Sequence, residues 1–188
     1  MKTLVLAVYS LLLALAPPEK RVSVTSPENL ESMKARYQSI AEDVVAVSEA
    51  EQAFAGADAV GRTAAILVAI SYMESGFRYD VDRGKCWKGS CDEYKGKATS
   101  FCLAQIHIGE GKTQEGWTGA DLIADRKKCY TTALHLIKQS IGACGNLSGY
   151  TLGTCTANEP KAVARWNKYA SVYSQLSAIR KAQAAQTP

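Results

Sequence analysis

A carboxylate at the end of an apolar segment is the residue of this sequence best placed to do chemistry. Residues 64–73 are apolar or aromatic except for Ser71, and Glu74 follows them directly. Ser75 and Gly76 come next, and a glycine just past an apolar turn commonly ends a helix in the left-handed conformation. Apolar surroundings and the negative end of a helix dipole both disfavour an ionised carboxylate. The sequence therefore predicts that Glu74 holds a proton readily enough to act as a general acid, the alternative being a solvated helix-end residue.

The Glu-Ser-Gly-Phe segment at 74–77 is followed by a second motif at 100–106, which is Ser-Phe-Cys-Leu-Ala-Gln-Ile. The pair resembles the goose-type lysozyme and soluble lytic transglycosylase superfamily. Members of that superfamily carry Glu-Ser-x-Phe on a helix, then Gly-Leu-Met-Gln-Ile, then another helix and a turn similar to Tyr-Asn-Ala-Gly. Here the second helix corresponds to 117–140 and the turn to 148–153, so the resemblance covers roughly residues 58–170.

This chain departs from the superfamily pattern at three places. Cys102 stands where members have Gly, and Ala104 stands where they have Met. Tyr150 is followed by Thr-Leu-Gly, so the Asn of the family turn is missing. These differences bear on the shape of the sugar subsites more than on the fold.

The resemblance implies a mainly α, lysozyme-like (α+β) fold with a small β-hairpin or loop region, and we expect one globular helical domain over 26–182. It implies that Glu74 is the catalytic acid and base of a lytic transglycosylase. Such an enzyme breaks the β-1,4 bond between N-acetylmuramic acid and N-acetylglucosamine and leaves 1,6-anhydromuramic acid ends. The substrate-binding residues that the resemblance implies are Ser75, Gln105, Ile106 and Tyr150. Neither a cofactor nor a metal is expected, and the expected partner is the glycan strand of peptidoglycan.

Two alternatives are a goose-type muramidase, which is a hydrolase, and a catalytically inactive peptidoglycan-binding module. A hydrolase needs a positioned water, which is commonly held by a second acid. Candidate acids lie in the polar stretch between the two motifs, at Asp80, Asp82, Asp92 and Glu93. Taken singly, each is more typical of a solvated surface. Because no second acid is clearly marked, the sequence favours the transglycosylase.

The overall composition is that of one globular domain. The chain has 188 residues, of which 47% are hydrophobic and 21% are charged. A formal net charge of +4 and a pI of about 8.7 suit an anionic polymer such as a cell wall. This net charge and pI are lower than those typical of a nucleic-acid-binding domain, which carries a strongly basic surface. We expect a monomer that binds no nucleic acid.

The N-terminus is typical of a secretory signal peptide over residues 1–16. It has a positive start and an apolar run that ends in Ala14-Leu15-Ala16, a pattern that signal peptidase prefers. Pro17 and Pro18 oppose cleavage directly after that pattern, so cleavage elsewhere, retention as an anchor and a core helix are the alternatives. Residues 17–25 are predicted to be a linker. A signal peptide directs export, and no other segment is long enough to cross a membrane. We therefore expect a periplasmic or secreted protein.

Six cysteines in an exported chain indicate a disulfide framework, whose connectivity the sequence alone does not fix. A helix ending near Ser140 places Cys129 about 16 Å from its end, a distance that the chain up to Cys144 barely spans. This geometry favours a sequential set of pairs: Cys86 with Cys91, Cys102 with Cys129, and Cys144 with Cys155. A zinc site is the alternative, but the cysteine spacing and the two histidines, His107 and His135, do not match one.

Hydrophobic periodicity indicates three further helices. The first begins with Ser26 as its N-cap and runs to about Phe54, with core positions at Leu30, Met33, Tyr37, Ile40, Val44 and Val47. The second covers 121–140, and residues 142–155 form the loop after it. The third begins at Pro160, with Val163, Trp166, Tyr169, Tyr173 and Leu176 closing the domain. Residues 183–188 are expected to fray.

Overall fold

The computed structural model describes residues 2–21, 27–84, 93–94 and 97–186. Its α-helices are α1 Lys2–Leu15, α2 Leu30–Ala50, α3 Ala59–Ser75, α4 Tyr79–Asp82, α5 Gly119–Ala124, α6 Arg126–Cys144, α7 Ser148–Leu152 and α8 Pro160–Ala185. Its strands are β1 Glu93–Tyr94, β2 Lys97–Ala98, β3 Ser100–Phe101 and β4 Ile106–His107. The strands pair as two antiparallel sheets, β1 with β2 and β3 with β4. The prediction of a mainly α protein with a small β element is confirmed.

Helix α3 is the buried centre of the protein. Its residues 63–71 are all buried, and it packs mainly against α8 and α2. It ends at Gly76, whose φ is 56° and whose N–H donates to the carbonyl of Tyr72 at 2.9 Å. The predicted left-handed helix end is confirmed. Glu74 therefore lies in the last turn of the most buried helix.

Helix α1 packs into the same core. Ala7, Val8, Leu11 and Leu12 have no exposed surface, and α1 contacts α2, α8 and α3. Within the described residues, it is also the one helix long and apolar enough to cross a membrane, over Thr3–Lys20. An apolar N-terminal helix together with disulfides is compatible with export.

Helix α2 begins later than the sequence suggested. Its N-cap is Asn29, whose side chain accepts from the N–H of Ser32 at 2.8 Å, whereas Ser26 lies outside the described residues. Asn and Ser are comparable caps, so the local pattern did not distinguish between them. The helix ends at Ala50 and not near Phe54. Its predicted core positions Met33, Tyr37, Ile40, Val44 and Val47 are buried, and Leu30 is half-buried.

The single helix predicted over 121–140 is two helices. Thr118 and Asp121 form a capping box that starts α5. Asp125 has extended backbone, so it ends α5, and its side chain caps α6 by accepting from the N–H of Lys127 at 2.9 Å. Helix α6 continues to Cys144, and α7 occupies part of the predicted loop 142–155.

Two of the predicted disulfides are confirmed. Cys102 is bonded to Cys129 and Cys144 to Cys155, with Cα–Cα distances of 6.2 and 5.1 Å. Cys129 and Cys144 lie on one helix about 22 Å apart, at about 1.5 Å per residue, so they cannot pair with each other. The third predicted pair, Cys86 with Cys91, lies outside the described residues.

Helix α8 closes the core in a register that differs in part from the expected one. Its buried residues are Ala162, Tyr169, Val172 and Leu176. Val163 and Trp166, which were predicted to face the core, are 44% and 37% exposed. The helix continues to Ala185, so residues 183–185 are helical where a frayed tail was expected.

Candidate active site

A groove of about 810 Å³ lies beside the C-terminal end of α3. This volume is within the usual range of small-molecule sites. Four of the five residues predicted from the sequence line it together: Glu74, Gln105, Ile106 and Tyr150. They come from α3, from the β3–β4 hairpin and from α7, so three separate parts of the chain form one site.

The Glu74 side chain is 17% exposed and contacts Arg165 of α8. Arg165 donates from Nε to Glu74 Oε1 at 2.7 Å, and its Nη2 lies 2.5 Å from the same oxygen. A cation therefore lies against the carboxylate, in addition to the apolar surroundings that the sequence predicted. The sequence predicted those surroundings but not this cation, because 91 positions separate the two residues.

The turn that follows Glu74 is fixed by backbone contacts. Ser75 donates from Oγ to the carbonyl of Ser71 at 2.8 Å and accepts from the N–H of Phe77 at 3.2 Å. Ser75 is 6% exposed and does not line the groove, so its geometry fits support of the turn and not contact with a sugar. Phe77 is fully buried, has a φ of 57°, and accepts on its carbonyl from Arg36 Nη1 at 3.0 Å.

A buried group of charges holds Arg36 in place behind this turn. Glu28 accepts from Arg36 Nε and Nη2 at 2.7 and 2.8 Å. Asp82 lies 3.7 Å from Arg36 and accepts from Arg126 Nε at 2.7 Å, and Arg126 also donates to Asp43 at 2.9 Å. Buried charges are tolerated when each is paired in this way. The network therefore links α2, α4 and α6 to the backbone beside Glu74.

The β3–β4 turn, which carries Gln105, is a strained segment. Cys102 and Gln105 have φ values of 60° and 49°, a conformation that costs a non-glycine residue about 1 kcal/mol or more. Gln105 donates from Nε2 to the carbonyl of Cys102 at 2.9 Å, and the Cys102–Cys129 disulfide ties the turn to α6. Backbone strain of this kind concentrates at functional sites.

Tyr150 connects the turn to α7 and interacts with Glu74 through its charge. Its Oη donates to the carbonyl of Ala104 at 2.8 Å, and its N–H donates to Ser140 Oγ at 3.0 Å. Burial raises the pKa of Tyr150, and the Glu74 carboxylate raises it further. Tyr150 is therefore a neutral phenol whose orientation is fixed at the edge of the groove.

Sequence reasoning missed the basic side chains of α8 in the groove. Besides Arg165, Lys161 lines it, and Arg165 Nη1 donates to the carbonyl of Lys161 at 3.2 Å. Lys161 lies in the first turn of α8, where the helix dipole disfavours a cation. This unfavourable position was the one local sign in the sequence that Lys161 serves something other than the helix. His107 also lines the groove, with Nδ1 3.3 Å from Ser100 Oγ.

Glu74 is the one carboxylate among the groove-lining residues that the structure describes. Asp80 forms an ion pair with Arg78, and Asp82 is 4% exposed within the buried network. Neither of them lines the groove. Asp92 and the side chain of Glu93 lie outside the described part of the chain.

In that described part, no three or more His, Cys, Asp and Glu side chains are grouped to hold a metal ion. Comparisons with protein-family models, with curated proteins and with solved structures find no match to this chain. The chemistry of the groove is therefore the basis for inferring what the protein does.

Proposed function

We propose that this protein is a lytic transglycosylase of peptidoglycan, with Glu74 as its general acid and base. The observation that carries the proposal is that the two sequence motifs meet in one groove, Glu74 from the first and Gln105 from the second. Their resemblance to the soluble lytic transglycosylase superfamily is a second support. The left-handed backbone of Cys102 suits a position where that superfamily carries Gly. We extend the proposal to a lysozyme-like architecture for the helical domain.

In this reaction, protonated Glu74 donates to the glycosidic oxygen while the bond from that oxygen to C1 of the muramyl residue breaks. The 6-hydroxyl of the same muramyl residue then forms a bond to C1, and the Glu74 carboxylate takes its proton. The products are a 1,6-anhydromuramyl end and a free 4-hydroxyl on N-acetylglucosamine, with no water consumed. One carboxylate therefore suffices, which agrees with Glu74 as the one acid among the described groove-lining residues.

The ion pair with Arg165 adds a requirement to this mechanism. In the ion pair, Oε1 of Glu74 faces the guanidinium, so the carboxyl group reaches a glycosidic oxygen only when bound glycan separates the two side chains. Sugar rings entering the groove exclude water from Glu74 and occupy space beside the long, flexible Arg165 side chain. Gln105 and Tyr150, which line the same groove, are the residues that we propose hold the sugar.

A muramidase is the second candidate, with Asp92 or Glu93 as the second acid that would hold a water. An inactive peptidoglycan-binding module is the third. The setting we propose is the periplasm or the exterior of the cell, with glycan strands as partner. The apolar helix α1 and the disulfides are compatible with that setting.

The test is mass spectrometry of the soluble fragments released from purified peptidoglycan. We expect 1,6-anhydromuramyl products from the wild type and from Glu49→Gln, an exposed control on α2. Glu74→Gln keeps the volume of the side chain but removes the acid, so its product release should fall by at least about 100-fold. Reducing-end products that depend on Glu74 would establish a muramidase instead. Pelleting with peptidoglycan without any release of fragments would leave only the binding module.

A further inference from the structure

The backbone carbonyl that ends α3 is held by a residue from the N-terminal segment. Arg21 donates from Nη1 to the carbonyl oxygen of Gly76, two positions past Glu74. The contact is close, since a Cβ atom added to Gly76 would lie 3.4 Å from Arg21 Nη2. The last carbonyls of a helix lack partners within the helix, and a cation there also complements the helix dipole. Arg21 therefore supplies both a donor and a charge at the end of α3.

Arg21 is itself placed by α1. A 3-10 turn at Pro18–Lys20 joins the two, and the N–H of Arg21 donates to the carbonyl of Pro18 at 2.9 Å. Tyr37 of α2 donates from Oη to the carbonyl of Ala16 at 3.1 Å, which attaches the end of α1 to the core. Ala16 and the Tyr37 side chain are both fully buried.

The buried side of α1 belongs to the hydrophobic core that the described residues form. The fully buried residues of α1 pack in the same cluster as those of α2, α3 and α8. Loss of residues 1–16 would expose the apolar side chains that α1 covers on α2 and α8. It would also leave Arg21 without the helix that positions it. Pro17 and Pro18 directly follow the Ala-Leu-Ala pattern and oppose cleavage at that point.

We infer that residues 2–21 remain in the mature protein, with α1 as a core helix, and that Arg21 is a positioning residue for Glu74. The segment therefore has the composition of a signal peptide but the packing of a structural element. Two arginines then hold consecutive carbonyls of the turn after Glu74, Arg21 on Gly76 and Arg36 on Phe77. The part that concerns catalysis rests on the proposed function, whereas retention of α1 does not.

Retention is tested by the intact mass and N-terminal sequence of the full-length chain after expression in a bacterium that exports it. We expect the purified, folded protein to begin at Met1 or Lys2. A protein that begins at Pro17, or at any later residue, and that unfolds at the same temperature as the uncleaved chain would overturn the inference.

The positioning role is tested with Arg21→Gln, with Lys20→Gln as the matched control on the same turn. Lys20 is exposed, so its substitution should change nothing. In Arg21→Gln we expect amide hydrogen exchange in residues 76–78 to become several-fold faster, and Arg21→Lys should restore part of the protection. Equal exchange in the wild type and Arg21→Gln would overturn the role.

Kinetics separate this inference from the proposed function. If both hold, Arg21→Gln lowers kcat several-fold and leaves KM unchanged, because the turn and not the groove surface is altered. If the wild type releases no fragments, the proposed function fails, and the mass and exchange measurements still decide the retention of α1 and the contact of Arg21.

Discussion

At the residue scale, the pairing of Glu74 with Arg165 distinguishes this groove from an ordinary apolar pocket. The two side chains are 17% and 14% exposed, so removing either one leaves the other charge largely desolvated and unpaired. We predict that Glu74→Gln and Arg165→Gln each lower stability and that the double variant recovers part of the loss. The expected coupling free energy is about 1 kcal/mol, since the remaining exposure weakens the pair.

Urea unfolding of the wild type, the two single variants and the double variant measures this coupling. Lys181→Gln, an exposed position on the same helix, is the control and should leave stability unchanged. If the losses of unfolding free energy in the two single variants add up to the loss in the double variant, the ion pair contributes nothing in solution.

A second prediction concerns the left-handed backbone at Cys102, whose φ is 60°. The disulfide is removed in two ways, as Cys102→Gly with Cys129→Ala and as Cys102→Ala with Cys129→Ala. Both variants lose the same bond, but only glycine adopts this conformation without a penalty. We expect the glycine variant to be more stable by about 1 kcal/mol, measured by urea unfolding. Equal stabilities would mean that the turn changes conformation once the disulfide is lost.

The sequence was most informative about single residues where local pattern and chemistry agreed. Glu74, Gln105 and Tyr150 were predicted as site residues and line one groove. Arg165 was missed because its partner lies far away in sequence and no local pattern marks a side chain that crosses from one helix to another. Ser75 was assigned to the substrate by the family resemblance, whereas its buried hydroxyl bonds the backbone.

At the scale of elements, a cluster around His135 joins α6 to the end of α2 and to the loop before α5. His135 Nε2 lies 2.8 Å from Glu51, its Nδ1 contacts Glu115, and Lys138 also contacts Glu51. Burial opposes protonation of His135, but the bonds to Glu115 and Glu51 outweigh it and raise the pKa of the imidazole. The bond from Lys138, followed by that from His135, lowers the pKa of Glu51.

These shifts predict a pH dependence of stability. The raised pKa of His135 stabilises the fold below the imidazole's ordinary value of 6.5, and this contribution is lost as the pH rises through the raised value. The lowered pKa of Glu51 contributes above its ordinary value of 4.5 and is lost as the pH falls. The cluster is therefore strongest between those two values.

We expect His135→Gln to lower Tm by about 2 °C near pH 5.5 and to have little effect at pH 9. Thermal unfolding followed by circular dichroism across this range is the measurement. His107→Gln, at the exposed second histidine, is the control and should show no such dependence on pH. A Tm difference that is the same at all pH values would mean that His135 acts by packing and not by its charge.

Helix existence was easier to predict than helix limits, and the reason is physical. The apolar period that identifies α2 and α6 extends over several turns, whereas each end depends on one or two side chains. At α2, Ser26 and Asn29 offered equivalent caps. Between α5 and α6, the break depends on the extended backbone of Asp125 and on its side chain, which caps α6. A periodic pattern of apolar residues does not reveal either feature.

At the scale of the whole molecule, each of the two described disulfides holds an element that lines the groove. Cys102–Cys129 attaches the β3–β4 turn, with Gln105, to α6. Cys144–Cys155 encloses α7, which carries Tyr150. Their accessibility differs, because Cys102 and Cys129 are 3% and 0% exposed whereas Cys155 is an exposed residue. Chain geometry favoured these two pairs, but the difference in their exposure depends on packing that only the fold defines.

This difference predicts an order of reduction in the native protein. A thiolate must reach a sulfur atom to attack it, so a mild reductant should reduce Cys144–Cys155 first. Cys102–Cys129 should be reduced only when the protein unfolds. Differential alkylation followed by peptide mass spectrometry assigns each cysteine, including Cys86 and Cys91. Hydrogen exchange of the partly reduced protein should increase over 147–155 and stay unchanged over 100–106, because only the segment that carries α7 has lost its disulfide. Simultaneous reduction of both pairs would contradict this order and would mean that the β3–β4 turn opens to solvent as readily as α7.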